Sequence, residues 1–210
     1  MPAVISAFPA SGLYAVTPDV AVEPQQLLAA VCAVIAGGAR VVQYRAKSGR
    51  QDEAVAAQLL AVCREAGVPL IINDNAGLAQ KIGADGVHLG KDDMPVSDAR
   101  ALLGVDVIIG VSCYDSLERA VIAADQGADY LAFGRFFPSR TKPLAACASL
   151  TTLSGARDRF DVPVVAIGGI TAANGSALIA AGAGLLAVVD GVFGQKNPEQ
   201  AARSIQTLFQ

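Results

Sequence analysis

Two short apolar runs in this chain end on acid. Leu70-Ile71-Ile72 stops at Asn73-Asp74, and Val87-His88-Leu89 stops at Gly90-Lys91-Asp92-Asp93. Strands of a parallel α/β fold bring their C-terminal ends to one shared face, so Asp74 and Asp93 can approach each other there. Two carboxylates with an asparagine beside them suit a hard cation such as Mg2+, which takes oxygen ligands and commonly bridges to phosphate. The competing role for both is helix capping, since Asp is favoured just before a helix begins.

Basic residues supply the complementary chemistry. Arg45 and Lys47 stand two apart beyond the run Val41-Val42-Gln43-Tyr44, where both can meet a phosphate. The loop 135–142 is long for a strand-to-helix connection and carries Arg135, Ser139, Arg140, Thr141 and Lys142; loops of that length in a compact domain are often functional. For all of these the ordinary alternative is a solvated surface charge. Gly168-Gly169-Ile170-Thr171, between a strand and a helix, lets backbone N–H groups approach an anion, with a tight turn as the alternative. His88 is the only histidine. It lies inside an apolar strand, where a hydrogen-bonded interior side chain is the better expectation than a proton shuttle. Cys113 follows Ser112, but no second histidine exists to activate a thiol or a serine.

These residues need elements to hold them. Apolar runs predict strands over 13–16, 41–44, 70–72, 87–89, 107–111, 130–133, 164–167 and 185–189. Helical spacing predicts helices over 24–36, 51–66, 76–82, 96–103, 117–126, 148–156, 172–181 and 198–208. A helix-end phrase recurs as Gly37-Gly38-Ala39, Gly83-Ala84-Asp85, Gly127-Ala128-Asp129 and Gly182-Ala183-Gly184, each shortly before a strand; glycine there adopts the left-handed conformation without a Cβ clash. Eight strand–helix pairs predict a single-domain (β/α)8 TIM barrel over 1–210, with 1–12 as an irregular lead-in. An open doubly wound sheet is the alternative. In the barrel the active site occupies the C-terminal strand ends, and phosphate often sits after strands seven and eight.

Composition narrows the class. The 210 residues are 53% hydrophobic and 17% charged, and 162–189 contains no Asp, Glu, Lys or Arg. Pro163, Gly168-Gly169 and Asn174-Gly175 nevertheless break that stretch into strand, turn and helix, which excludes a membrane span. Buried parallel strands account for the hydrophobicity. A net charge of −3 argues against a nucleic-acid footprint. Cys32, Cys63, Cys113 and Cys147 show no metal-binding spacing, and the first residues lack a signal-peptide pattern, so a cytoplasmic protein is expected.

Taken together, LYAVTPD at 13–19, VVQYRAK at 41–47, LIINDNAGLA at 70–79, GADGVHLGKDDMP at 83–95, IIGVSCY at 108–114, GADYLAFGRFFPSRTKP at 127–143 and PVVAIGGI at 163–170 resemble the thiamine phosphate synthase family. The resemblance implies a transferase that couples a hydroxymethylpyrimidine diphosphate to a thiazole phosphate, releasing pyrophosphate through a pyrimidine methyl cation. It implies that Gln43, Arg45 and Lys47 bind the pyrimidine diphosphate and that Asn73 and Lys142 contact it. Asp74 and Asp93 correspond to Mg2+ ligands, and Ser112 to the serine beside the reacting groups. Ser139 and Thr141 resemble the family's loop hydroxyls, and Gly169 its thiazole-phosphate glycine. Ser112, Lys142 and Arg45 form the expected catalytic set. The partners implied are these two small molecules, with homo-oligomerisation left open.

Three positions depart from the family pattern. Ala46 stands where an acidic residue is usual, Asn75 where a charged one is, and Asp190 where many members have serine. A carboxylate at 190 repels phosphate unless only its backbone faces the ligand. The related thiazole tautomerase or regulatory group carries a histidine near Tyr114 and lacks much of the diphosphate-binding set. Gln43, Arg45, Lys47, Asp93 and Lys142 favour the synthase. A non-catalytic phosphate-binding barrel is the rival outside enzymology.

Overall fold

Eight strands pair in chain order, all parallel, and the last closes on the first. They are β1 (Gly12–Val16), β2 (Val41–Tyr44), β3 (Leu70–Asn73), β4 (Gly86–Leu89), β5 (Ile108–Tyr114), β6 (Tyr130–Gly134), β7 (Val164–Ile167) and β8 (Leu185–Val188). Between them run α1 (Pro24–Ala36), α2 (Glu53–Glu65), α3 (Ala76–Ile82), α4 (Val96–Leu103), α5 (Leu117–Asp125), α6 (Leu150–Arg159) and α7 (Gly175–Ala180). After β8 come α8 (Asp190–Phe193), α9 (Pro198–Gln206) and a 3-10 turn, Thr207–Phe209. The molecule is a (β/α)8 barrel. This computed structural model describes residues 7–19, 22–46, 51–138 and 147–210.

Strand alternation divides the side chains into two cores. Tyr14, Val41, Ile71, Ile108, Tyr130, Val165 and Leu185 fill the barrel interior. Their neighbours in sequence, such as Leu13, Val42, Ile72, Leu131 and Leu186, face outward against the helices. Strands covered on both faces are apolar throughout, which is why 162–189 forms β7, α7 and β8. No helix among the described residues is long and apolar enough to cross a membrane. Within the barrel Gly110 makes room for a neighbour, because a Cβ there would fall on the Tyr130 ring.

The recurring Gly-Ala-Asp phrases do more than end helices. Gly83 closes α3 in the left-handed region at φ 66°, and the buried Asp85 beyond it accepts from the Leu70 amide at 3.0 Å and pairs with Arg64 at 3.0 Å. Asp129 repeats the device, accepting from the Ile109 amide at 2.7 Å and pairing with Arg100 at 2.6 Å. Both lie at the N-terminal strand ends, opposite the face expected to carry function.

The structure corrects several boundaries. β5 continues to Tyr114 and bulges between Ser112 and Tyr114, so Ser112 lies in the strand rather than in the loop after it. The eighth strand–helix unit carries an additional short helix, α8, which raises the count above the eight expected. α6 starts at Leu150 because Ser149 caps it. α7 starts only at Gly175, because 171–174 form a turn in which Asn174 Oδ1 accepts from the Thr171 amide at 2.8 Å.

Candidate active site

The C-terminal strand ends surround a cavity of about 400 Å3. Alternation turns Gln43, Asn73, His88 and Ser112 inward, and the loops add Arg45, Asp74, Gly168, Gly169 and Asp190 to the wall. A shallower groove beside it shares Asn73 and Asp74 and runs past Ala46, Gln51 and Met94. Of the residues expected from sequence, Gln43, Arg45, Asn73, Asp74, Ser112 and Gly169 therefore line one cavity. Asp93 is not part of the lining, but its Oδ2 accepts from the amide of the lining residue Gly90 at 2.6 Å. Lys47, Ser139, Thr141 and Lys142 lie outside the described residues.

Neither acid caps the helix that follows it. Asn75 is the cap of α3, its side chain accepting from the Leu78 amide at 2.9 Å. That explains the departure at position 75. α4 begins behind Pro95 with no side-chain cap. Asp74 adopts φ 64° and Tyr114 φ 58°, both uncommon for residues with a Cβ and concentrated at functional sites when they occur. Among the described residues, no group of three or more His, Cys, Asp or Glu converges as a metal site. Of the two aspartates expected from sequence as metal ligands, Asp74 lines the cavity and Asp93 does not.

Arg45 is held from two sides. Its amide donates to Thr17 Oγ1 at 2.8 Å, and the same hydroxyl donates back to the Arg45 carbonyl at 3.1 Å. Its Nη1 lies 3.2 Å from Asp19 Oδ2, yet this buried nitrogen has no hydrogen-bond acceptor. Asp19 and Thr17 thus orient the arginine in a chain that has alanine at 46.

A line of polar side chains crosses the cavity floor. Gln43 Nε2 donates to Tyr14 Oη at 2.8 Å, the Tyr14 and Tyr130 hydroxyls lie 2.8 Å apart, and Tyr130 Oη is 2.9 Å from His88 Nδ1. His88 Nε2 is 2.8 Å from Ser112 Oγ. The histidine is therefore interior and bonded at both ring nitrogens, as expected. Phe8 stacks on Tyr130 from below, ring centroids 3.9 Å apart. Burial pushes the Cys113 thiol from its ordinary value near 9 up to about 12, which removes it as a nucleophile at neutral pH.

Gly169 sits at φ 65°, and a Cβ there would meet Pro138 O at 2.5 Å and Phe137 Cβ at 2.8 Å. The glycine is thus required by close packing of the loop after β6 as well as by its turn. Asp190 opens α8 on the same side of the cavity. Sequence reasoning missed Tyr14, Tyr130 and Asp19 as parts of the site, whereas Arg135, named with its loop, lines the cavity. The tyrosines read as strand hydrophobes, and only their partners 29 to 116 positions away show their hydroxyls at work.

The family model described as "Thiamine monophosphate synthase" matches residues 13–192. The chain belongs to that family. It is an enzyme, a transferase. Members similar to it include the thiamine-phosphate synthase of Methylococcus capsulatus, 52% identical over 96% of this chain and 91% of the relative. That of an Azoarcus species is 54% identical over 94% and 97%. Among solved structures, thiamine phosphate pyrophosphorylase from Pyrococcus furiosus superposes with a TM-score of 0.83 at 31% identity, covering 94% of each chain. A "Native KDPGal structure" at 18% identity and TM-score 0.73 shares the fold alone.

Proposed function

We propose that the cavity binds 4-amino-2-methyl-5-hydroxymethylpyrimidine diphosphate beside a thiazole phosphate and, with Mg2+, joins them into thiamine phosphate. The observation that carries this reading is the convergence of Gln43, Arg45, Asn73, Asp74, Ser112 and Gly169 on one cavity, in a chain similar to synthases over nearly its whole length. The carbon–oxygen bond between the pyrimidine methylene and the diphosphate breaks, and its electron pair leaves with pyrophosphate. The thiazole nitrogen lone pair then forms the new carbon–nitrogen bond to the methylene cation. No proton has to be removed for bond formation, which agrees with an interior His88 and a protonated Cys113 thiol.

Arg45, ion-paired with Asp19 while its buried Nη1 makes no hydrogen bond, faces the departing diphosphate, an arrangement suited to charge that develops in the transition state. Asp74 and Asp93 are the residues that would hold Mg2+, with Asn73 beside them. Bound there, Mg2+ supplies neutralisation of the leaving diphosphate. Lys47 and Lys142 are assigned as further cations for the diphosphate, and Ser139 and Thr141 as substrate contacts. The backbone at Gly168-Gly169 and α8 forms the side assigned to the thiazole phosphate. The four cysteines are free, which suits a reducing cytoplasm.

Metal removal tests the assignment. Dialysis against EDTA should abolish turnover and Mg2+ should restore it, whereas full turnover in metal-free enzyme would contradict the role given to Asp74 and Asp93.

A further inference from the structure

The polar line across the barrel floor has a direction. Gln43 Nε2 can only donate, so Tyr14 Oη accepts from it. Both phenols keep their single proton, because burial raises the pKa of each. With its acceptor side engaged by Gln43, Tyr14 sends its proton to Tyr130, 2.8 Å away. Tyr130 in turn sends its own to His88 Nδ1, 2.9 Å away. A ring nitrogen that accepts carries no proton, which leaves the imidazole proton on Nε2. That proton is donated to Ser112 Oγ at 2.8 Å, so the serine's own proton must turn elsewhere. Ser112 lines the cavity, and the cavity is where its proton can find an acceptor.

We infer that this relay fixes His88 as the Nε2–H tautomer and makes Ser112 a hydrogen-bond donor to a lone-pair atom of the bound pyrimidine, with Tyr14, Tyr130 and His88 as positioning residues that act through the serine. The substrate end of the inference rests on the reaction proposed above; the proton direction does not. A reversed Gln43 amide would present its oxygen to Tyr14 and run the line backwards. His88 would then carry its proton on Nδ1, and Ser112 would donate to the histidine and only accept from substrate. The two directions make opposite demands on the ligand: an acceptor atom opposite Ser112 in one case, a donor in the other. Two of the five groups, Tyr14 and Tyr130, are ordinarily read as packing. Here their hydroxyls set the polarity of Ser112 on β5, which lies 98 positions from Tyr14 and 18 from Tyr130 in the sequence.

The chain has one histidine, so every imidazole 15N signal of the labelled protein belongs to His88. The spectrum should show Nε2 protonated and Nδ1 bare; a protonated Nδ1 overturns the inference whatever the activity. Tyr130→Phe keeps the ring stacked on Phe8 while removing the proton offered to Nδ1, and it should erase the tautomer preference. In the same variant turnover should fall about tenfold, roughly the effect of one hydrogen bond, with KM moving less. In the Ser112→Ala background the same change should cost no further turnover, because its effect passes through Ser112. Full additivity of the two substitutions would contradict the relay. Should wild-type enzyme make no thiamine phosphate, the reaction assignment fails while the 15N spectrum still decides the proton direction.

Discussion

Asp74, Asn75 and Asp93 show how neighbouring polar residues divide their work. Asn75 stabilises the start of α3, while Asp74 faces the cavity from a left-handed backbone and Asp93 ties down its own loop through Gly90. Asn75→Ala should therefore cost about 1 kcal/mol of stability, the usual worth of a cap, seen as a lower melting temperature. Asp93→Ala loses the loop hydrogen bond to Gly90, worth about 1 kcal/mol. Its Mg2+-dependent turnover should nevertheless fall by two orders of magnitude or more, the scale on which lost transition-state stabilisation acts. Parallel losses of melting temperature and turnover in Asp93→Ala would assign it a structural role instead. The acids were legible in the sequence because each ends an apolar run. That Asn75, and neither acid, caps a helix was not legible, since that depends on where the first helical turn begins. Tyr14 and Tyr130 were hidden for another reason: a hydroxyl in an apolar strand shows its use only when its partner across the barrel is known.

At the scale of elements, the loops after β6, β7 and β8 build one side of the cavity. The recurring strand–helix rhythm identified β7 and β8 from sequence alone. α8 escaped it because Asp190–Phe193 makes a single turn, too short for any apolar period to register. The bulge in β5 escaped too, because an extra residue in one strand leaves no mark on the hydrophobic pattern. α8 places Asp190 on the cavity wall with Gly168 and Gly169, where a carboxylate opposes a phosphate. Asp190→Ser should lower KM for the thiazole phosphate about fivefold, equivalent to roughly 1 kcal/mol of removed repulsion. An unchanged KM would show that the carboxylate turns away from the ligand and that only the backbone of α8 meets it.

Across the whole molecule, the two ends of the barrel serve different ends. Cavity, acids and glycine turns gather at the C-terminal strand ends, whereas the Arg64–Asp85 and Arg100–Asp129 pairs anchor the N-terminal ends. Arg64→Met removes the guanidinium that pairs with the wholly buried Asp85 and should cost about 3–5 kcal/mol. At this chain length that lowers the melting temperature on the order of 10 °C. KM for both substrates should hold, because the pair lies at the end of the barrel away from the cavity; a large rise in KM would break the division of faces. This division was readable in outline from eight apolar runs with polar residues after each, but the acids before the strands read only as helix-end punctuation. The central claim is that this cavity joins two phosphorylated heterocycles. Purified protein, Mg2+, the pyrimidine diphosphate and the thiazole phosphate should together yield thiamine phosphate and pyrophosphate in equal amounts. Failure to form either product while both substrates bind would contradict the claim and leave a phosphate-binding barrel without catalysis.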